Sequence, residues 1–152
     1  MSDAARLQLW CDRAEIADVI VAMALAVDAR DFVSYREQFT DDARLDYQAA
    51  WGPEGSADEL ATFLATMTDP ASNPHSQHCV TSIRSAVSGD EATARAYYLT
   101  PAIMIGPDGN KQLMVNAGEY RASMRRTPHG WKMAALQVKS NTLHSAPLVD
   151  LG

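Results

Sequence analysis

Two histidines stand three apart in "NPHSQHCVTS", residues 73 to 82, where a polar loop turns into an alternating run. Such a pair admits metal ligation, base catalysis, or no chemistry at all. Metal fits poorly, because HxxH at a loop-to-strand junction lacks the i, i+4 helical geometry that aims two imidazoles at one ion. No metal and no other cofactor is therefore expected. His75, between Pro74 and Ser76, reads as a solvent-exposed loop residue. His78 opens the alternating run with Val80 and Ser82 on its side, so it can face a core, where a ring nitrogen needs a hydrogen-bond partner. Asp28 is the natural partner. A carboxylate accepting from one imidazole nitrogen fixes the tautomer and leaves the other nitrogen basic, as a general base requires. A plainer reading stands beside it, in which Asp28 only caps the next helix and His78 is a satisfied core residue.

The elements that must position these two groups follow from periodicity. After Asp12, with Glu15 three positions on as a capping-box partner, apolar residues at Ile16, Val19, Ile20, Met23, Ala24 and Val27 form one buried helical stripe. Asp28 lies at the margin of that stripe, near the helix end. A short second helix is capped by Asp31, with Phe32, Tyr35 and Phe39 inward, and "TDD" at 40 to 42 stops it. "ARLDY" reads as a brief strand with Ala43, Leu45 and Tyr47 on one side. "QAAWGPEG" is a Gly/Pro loop holding Trp51, which is placed to be a lid or an interface contact. Ser56 and Glu59 form a second capping box ahead of a third helix carrying Leu60, Phe63, Leu64 and Met67.

From His78 the period changes to two. Alternating runs over 78–88, 91–105 and 111–126 are separated by the hairpin turns "SGDE" and "GPDGN", and "TPHG" leads to a fourth run from Trp131 to about Thr142. Helices first and strands afterwards predict one α+β domain over residues 1–152, with three N-terminal helices against an antiparallel sheet. Strands this long do not stay flat, so Pro101, Gly106 and Gly118 are expected bulge or bend sites that curl the sheet and leave an apolar cavity. Tyr98, Asn116 and Tyr120 fall on even positions of their strands and, with Tyr47, are candidate polar contacts in that cavity. Each is more simply explained as packing. The tail "SAPLVDLG" reads as a loosely held end.

Composition narrows the partners. The chain has 152 residues, is 47% hydrophobic, and carries 13 Lys+Arg against 19 Asp+Glu. No basic cluster exceeds Arg125-Arg126, which argues against nucleic acid. No apolar run is long enough for a membrane span and the N-terminus lacks a secretory core, so a cytoplasmic protein is expected. Cys11 and Cys79 fit neither a zinc site nor a disulfide framework and read as reduced thiols packed as small apolar groups. A Cys-His-Asp nucleophile is a remote alternative.

Taken in order, "IADVIVAMALAVDARDF", "FTDDARLDY", "WGPEGSADELATFL", "SQHCVTS" and "GEYRASMRRTPHGWKM" resemble the SnoaL-like branch of the NTF2-like superfamily over nearly the whole chain. That resemblance implies an α+β cone, three helices inside a strongly curved sheet, usually dimeric, with a deep apolar pocket. It is nearest to the members scytalone dehydratase and hexachlorocyclohexane dehydrochlorinase, in which an aspartate ending the first helix pairs with a histidine opening a long strand. Asp28 and His78 fall on those places, and Tyr47 matches a pocket tyrosine of the dehydratase. Elsewhere the pattern departs. Ala102 follows Pro101 where the dehydratase has a second histidine, and Gly118 and Tyr120 replace its serine and asparagine. Met23, Leu45 and Leu136 fall near the dehydrochlorinase's lysine, tryptophan and arginine. Neither specific reaction carries over.

The resulting expectation is a cofactor-free lyase of dehydratase type, or an isomerase, acting on a small apolar cyclic metabolite. His78 is the base, Asp28 its orienting partner, and Tyr47 or Asn116 polarises the oxygen being lost or activated. Polyketide ring closure is a close variant. The alternative is a non-catalytic ligand-binding or scaffolding protein of the same fold, and a subunit accompanying an oxygenase is a third reading. A homodimer or higher homo-oligomer is expected, with no nucleic-acid or membrane partner.

Overall fold

The computed structural model describes residues 1–148; the last four residues of the tail lie outside the described part. Helix α1 spans Asp3–Ala29 and α2 spans Phe32–Glu37. Strand β1 (Phe39–Asp46), a short 3₁₀ turn (Gln48–Ala50), β2 (Glu54–Ser56) and helix α3 (Ala57–Met67) follow. The remaining strands are β3 (His75–Ser76), β4 (Cys79–Ser88), β5 (Glu91–Ile105), β6 (Lys111–Thr127) and β7 (Gly130–Pro147). The sheet order is β2-β1-β7-β6-β5-β3, with β4 also paired to β5. The run β4 to β7 is antiparallel throughout, while β1 joins the far edge of β7 in parallel.

Helix α1 begins nine residues before Asp12, capped by Ser2, whose hydroxyl accepts from the Ala5 amide. Asp12 is therefore no cap. It is buried in mid-helix because a distant strand supplies its partners. Arg126 forks onto both its oxygens at 2.8 and 2.9 Å, and Trp131 Nε1 and Gln8 Nε2 donate at 3.2 and 3.0 Å. The Arg126 guanidinium also lies 4.5 Å over the Trp131 ring. This cluster ties the start of α1 to the hairpin between β6 and β7. Asp12→Ala strands a guanidinium and an indole N–H, and we expect a loss of about 3 kcal/mol in a denaturant titration.

Acid should act through the same carboxylate and through Glu119, buried on the outer sheet face between Arg121 and Arg95. The Arg126 hydrogen bond outweighs burial and holds Asp12 at about 2. The Arg121 and Arg95 hydrogen bonds likewise hold Glu119 at about 2. Both groups return to roughly 4 on unfolding. Their folded pKa values are depressed, so their stabilisation is complete above about pH 5 and is lost as pH falls towards 2. Thermal melts between those limits should show a Tm falling with pH, with a shallower fall in the Asp12→Asn protein.

Phe39 opens β1 instead of ending α2, and 40 to 42 are strand, because the Gln38 carbonyl accepts from the Met133 amide at 2.9 Å and draws the segment onto β7. Asp31 caps α2 through the Ser34 amide, and both halves of the Ser56–Glu59 capping box are formed. Cys11 and Cys79 are exposed and not packed; Cys79 follows His78 and so points to the opposite face.

Bends occur where the long strands slip register. Gly118 sits at one, where Asn141 of β7 is the extra residue, and Ala134 is extra at another. Pro101 instead lies in unbroken register opposite Val115, and Gly106 closes the β5–β6 hairpin. A slip not expected from the sequence falls at Ser82, whose φ is 55°. It reverses the parity of β4, so Ser82 is exposed and Ile83, Ser85 and Val87 turn inward after Val80. At the narrow end of the cone, Ile16, Met124, Trp131 and Met133 fill the space over the small residues Ala92, Ala94 and Ala96. Towards the other end that filling stops.

Candidate functional site

Helix α1 ends in a defined stop. The Asp31 amide reaches the Ala26 carbonyl at 2.9 Å and the Arg30 amide reaches Val27 at 3.0 Å, with Arg30 left-handed at φ 56°. This is a Schellman cap with a non-glycine residue, which costs about 1–2 kcal/mol of backbone strain. The Arg30 side chain accounts for it. Its guanidinium donates to the carbonyls of Thr68 at 2.6 Å, Asn73 at 2.7 Å and Pro74 at 3.3 Å, binding the segment that delivers His78 to the helix that carries Asp28. Arg30→Gly relieves the strain but removes three charge-assisted bonds. We expect a net loss of about 1–2 kcal/mol, read as a lowered urea midpoint. A gain in stability would show that the cap, not the side chain, governs this junction.

With that junction closed, Asp28 receives the His78 backbone N–H at Oδ2 (2.8 Å) and meets His78 Nδ1 at Oδ1 (2.6 Å). Burial raises the Asp28 carboxyl, but the hydrogen bonds from the His78 ring and backbone outweigh it and the net shift is downward. Asp28 is thus an anion at neutral pH and can only accept, so in the neutral imidazole the proton sits on Nδ1 and Nε2 is the acceptor nitrogen. Among the described residues Nε2 has no hydrogen-bond partner, and His78 lines a cavity of about 230 Å³.

That cavity lies between the end of α1, α3 and the ends of β5, β6 and β7. Its walls are mostly apolar, among them Met23, Val27, Leu64, Met104 and Met114. Tyr47, Tyr98, Asn116 and Tyr120 all reach it. Tyr47 meets the hydroxyl of buried Tyr35 at 3.2 Å, and Tyr98 stacks on Tyr120 with ring centroids 4.6 Å apart. Burial pushes the Tyr47 phenol up to about 12, and burial likewise raises Tyr98 and carries Tyr120 well above the ordinary value. These phenols stay neutral, so they are hydrogen-bonding groups and not bases. Asn116 Oδ1 accepts from Ser140 Oγ at 2.7 Å.

Trp51 stands at the cavity mouth, 64% exposed and left-handed at φ 60°. Its loop is pinned by Gly52, where a side chain would meet Tyr47 Cβ at 2.7 Å. His75 is exposed on β3. Met23 and Ala102 line the cavity, whereas Leu45 and Leu136 are fully buried neighbours in the β1–β7 pairing. Two polar residues missed in the sequence, Thr100 and Asn73, also line it. Thr100 Oγ1 and Asn73 Oδ1 are buried without a partner among the described residues. The signal for Thr100 is its even position on β5, two beyond Tyr98.

No group of three or more His, Cys, Asp or Glu among the described residues is placed to hold a metal, and no helix there is long and apolar enough to cross a membrane.

A helix-filled cone with its pocket at the open end defines the NTF2-like class. Within it, the chain belongs to the SnoaL-like domain family, matched over residues 8–137. An uncharacterised Mycobacterium tuberculosis protein is 29% identical over 122 residues, 80% of each chain. A hexachlorocyclohexane dehydrochlorinase, LinA type 2, has the same fold with a TM-score of 0.80 at 22% identity, covering 99% of this chain and 97% of that one. An NTF2-like protein from Novosphingobium aromaticivorans superposes with a TM-score of 0.69 at 25% identity, over 91% and 87%.

Proposed function

We propose that the protein is a lyase or isomerase that removes a carbon-bound proton from a small apolar cyclic metabolite, with His78 as general base and Asp28 orienting it. The observation that carries this reading is the 2.6 Å contact between Asp28 and His78 Nδ1 at the wall of an apolar cavity. An apolar wall weakens water's competition for the reacting proton, and Asp28 stabilises the imidazolium as it forms. Tyr47 and Asn116 are the neutral groups within the pocket that can hold the substrate oxygen. The dehydrochlorinase fold neighbour performs an elimination by its name, which agrees with this class of chemistry. Homodimer formation belongs to the same reading, with exposed Tyr97 and Leu99 on the outer sheet face as its contact.

The test is proton exchange. Incubated in D₂O with a panel of small cyclic carbon acids, the protein should incorporate deuterium into at least one compound, read by NMR. Exchange that persists unchanged in His78→Ala, or is absent across the panel, rejects the base.

A further inference from the structure

Trp51 occupies a backbone position that suits glycine. It ends the 3₁₀ turn left-handed, at φ 60° and ψ 20°, where a bulky side chain is strained. The turn cannot rearrange to relieve it. The Tyr47 carbonyl accepts the amides of Ala50 and Gly52 at 2.8 and 2.9 Å, the Tyr47 amide donates to Pro53 at 3.1 Å, and the Trp51 amide reaches Gln48 at 3.2 Å. Gly52 is pressed on Tyr47 and Phe63, with no room for a Cβ. The fold gains little from the indole in return, because the residue is 64% exposed. A residue that strains its backbone and packs on little of its own chain points to a contact outside that chain. Its neighbours say where. Met67 of α3 and Leu143 of β7, 49% and 48% exposed, border the same cavity as Trp51. Single exposed apolar side chains are ordinary, but three from separate elements around one apolar opening make a patch. The space behind them is small. At about 230 Å³ it is under the roughly 300–1,000 Å³ of a usual ligand pocket, so a ligand with one ring beside His78 extends a second part across the mouth.

We propose that Trp51 is a specificity-determining residue that stacks on the substrate at the cavity mouth, and that the substrate has two parts: a ring buried beside His78 and a flat, unsaturated or aromatic group under the indole. The fixed backbone sets where the indole is anchored, so stacking orders only two side-chain torsions. A puckered group of equal size covers similar area but cannot lie flat on the indole, and the site therefore selects by shape. The rest of the wall agrees. Four of the seven methionines, Met23, Met67, Met104 and Met114, line this cavity, and thioether sulfur makes favourable contacts with aromatic rings. This deepens the base reading and rests on it for the ligand being a substrate, though not for its binding.

The probes are 4-phenylphenol and 4-cyclohexylcyclohexanol, which share a two-ring skeleton and a hydroxyl and differ in whether the rings are flat. Neither has to react. Calorimetric titration gives the ratio of their affinities, and comparing that ratio between wild type and variants cancels their different hydration. Trp51→Leu should shift it against 4-phenylphenol by about fivefold, the size of one aromatic pair, and Trp51→Phe should keep most of the wild-type ratio. Trp51→Gly should lose the preference as Trp51→Leu does yet melt no lower than wild type, because it removes strain and little packing. His78→Ala should leave the ratio unchanged, so a failed base and a failed stacking residue are told apart. A ratio that Trp51→Leu leaves unchanged, or wild-type protein that does not bind 4-phenylphenol, overturns the proposal. So does a Trp51→Gly protein that melts lower and keeps the ratio, which assigns the indole to the fold, or a Trp51→Leu protein that keeps the ratio and changes its sedimenting mass, which assigns it to a contact between copies.

Discussion

Asp28→Asn should reduce turnover by about 10²–10⁴ while leaving the protein folded. The reason lies in the tautomer. An asparagine at 28 can still accept the His78 backbone N–H through its oxygen, so the junction between α1 and β4 keeps one of its two bonds. Its amide then presents an N–H to Nδ1 and favours the opposite tautomer, in which Nε2 carries the proton and cannot act as a base. His78→Ala should give a loss of the same size by removing the base outright. The two losses should not add, because both remove one function. Steady-state rates of single and double variants on any substrate found by exchange make the comparison, with circular dichroism to check the fold. Near-normal turnover in either variant would end the role proposed for the pair.

The parts of this site that can be read in the sequence are those fixed by short-range patterns. Asp28 lies at the margin of the stripe of α1 and follows from residue spacing, whereas His78 stands one residue before β4 and owes its place to the Asp28 carboxylate that accepts its backbone N–H. Tyr98, Asn116 and Tyr120 are legible for the same reason, because β5 and β6 pair without a slip from Glu91 to Ile105. Long-range partnership escapes. Asp12 looks like a cap because Asp is a common one, and only Arg126, 114 positions away, makes it a buried core residue. Ser82 looks like an inward residue until the bulge reverses parity, and nothing in its own side chain marks a φ of 55°. Thr100 does not stand out because an alternating strand gives every even residue the same address. Its distinction is an unpaired hydroxyl, which depends on what its neighbours fail to offer. The parallel β1–β7 pair is invisible because period-two alternation does not record strand direction.

Gly118→Ala should cost more than about 3 kcal/mol, a drop in Tm of roughly 10 °C for a chain of this size. A Cβ at 118 would lie 1.8 Å from the Lys139 carbonyl oxygen and 2.7 Å from the Tyr98 hydroxyl. Carbon and oxygen in neighbouring strands rest at about 3.3 Å or more, so the carbonyl must move by well over an ångström. It cannot do so alone, because Gly118 pairs with Ser140 beside the bulge and Lys139 accepts from Tyr98. Displacement therefore reaches the Tyr98–Tyr120 stack and the Ser140 hydroxyl that orients Asn116. The pocket should loosen together with the fold, and binding of any substrate found by exchange should weaken at temperatures where the variant is still folded. Gly109→Ala is the matched comparison. Gly109 has φ +77° in the β5–β6 turn, and nothing lies within 4 Å of where the alanine methyl would stand, so only backbone strain of about 1–2 kcal/mol is expected there, with no change in binding. If both substitutions cost the same, the close approach of β6 and β7 is not what holds the open end of the cone in shape.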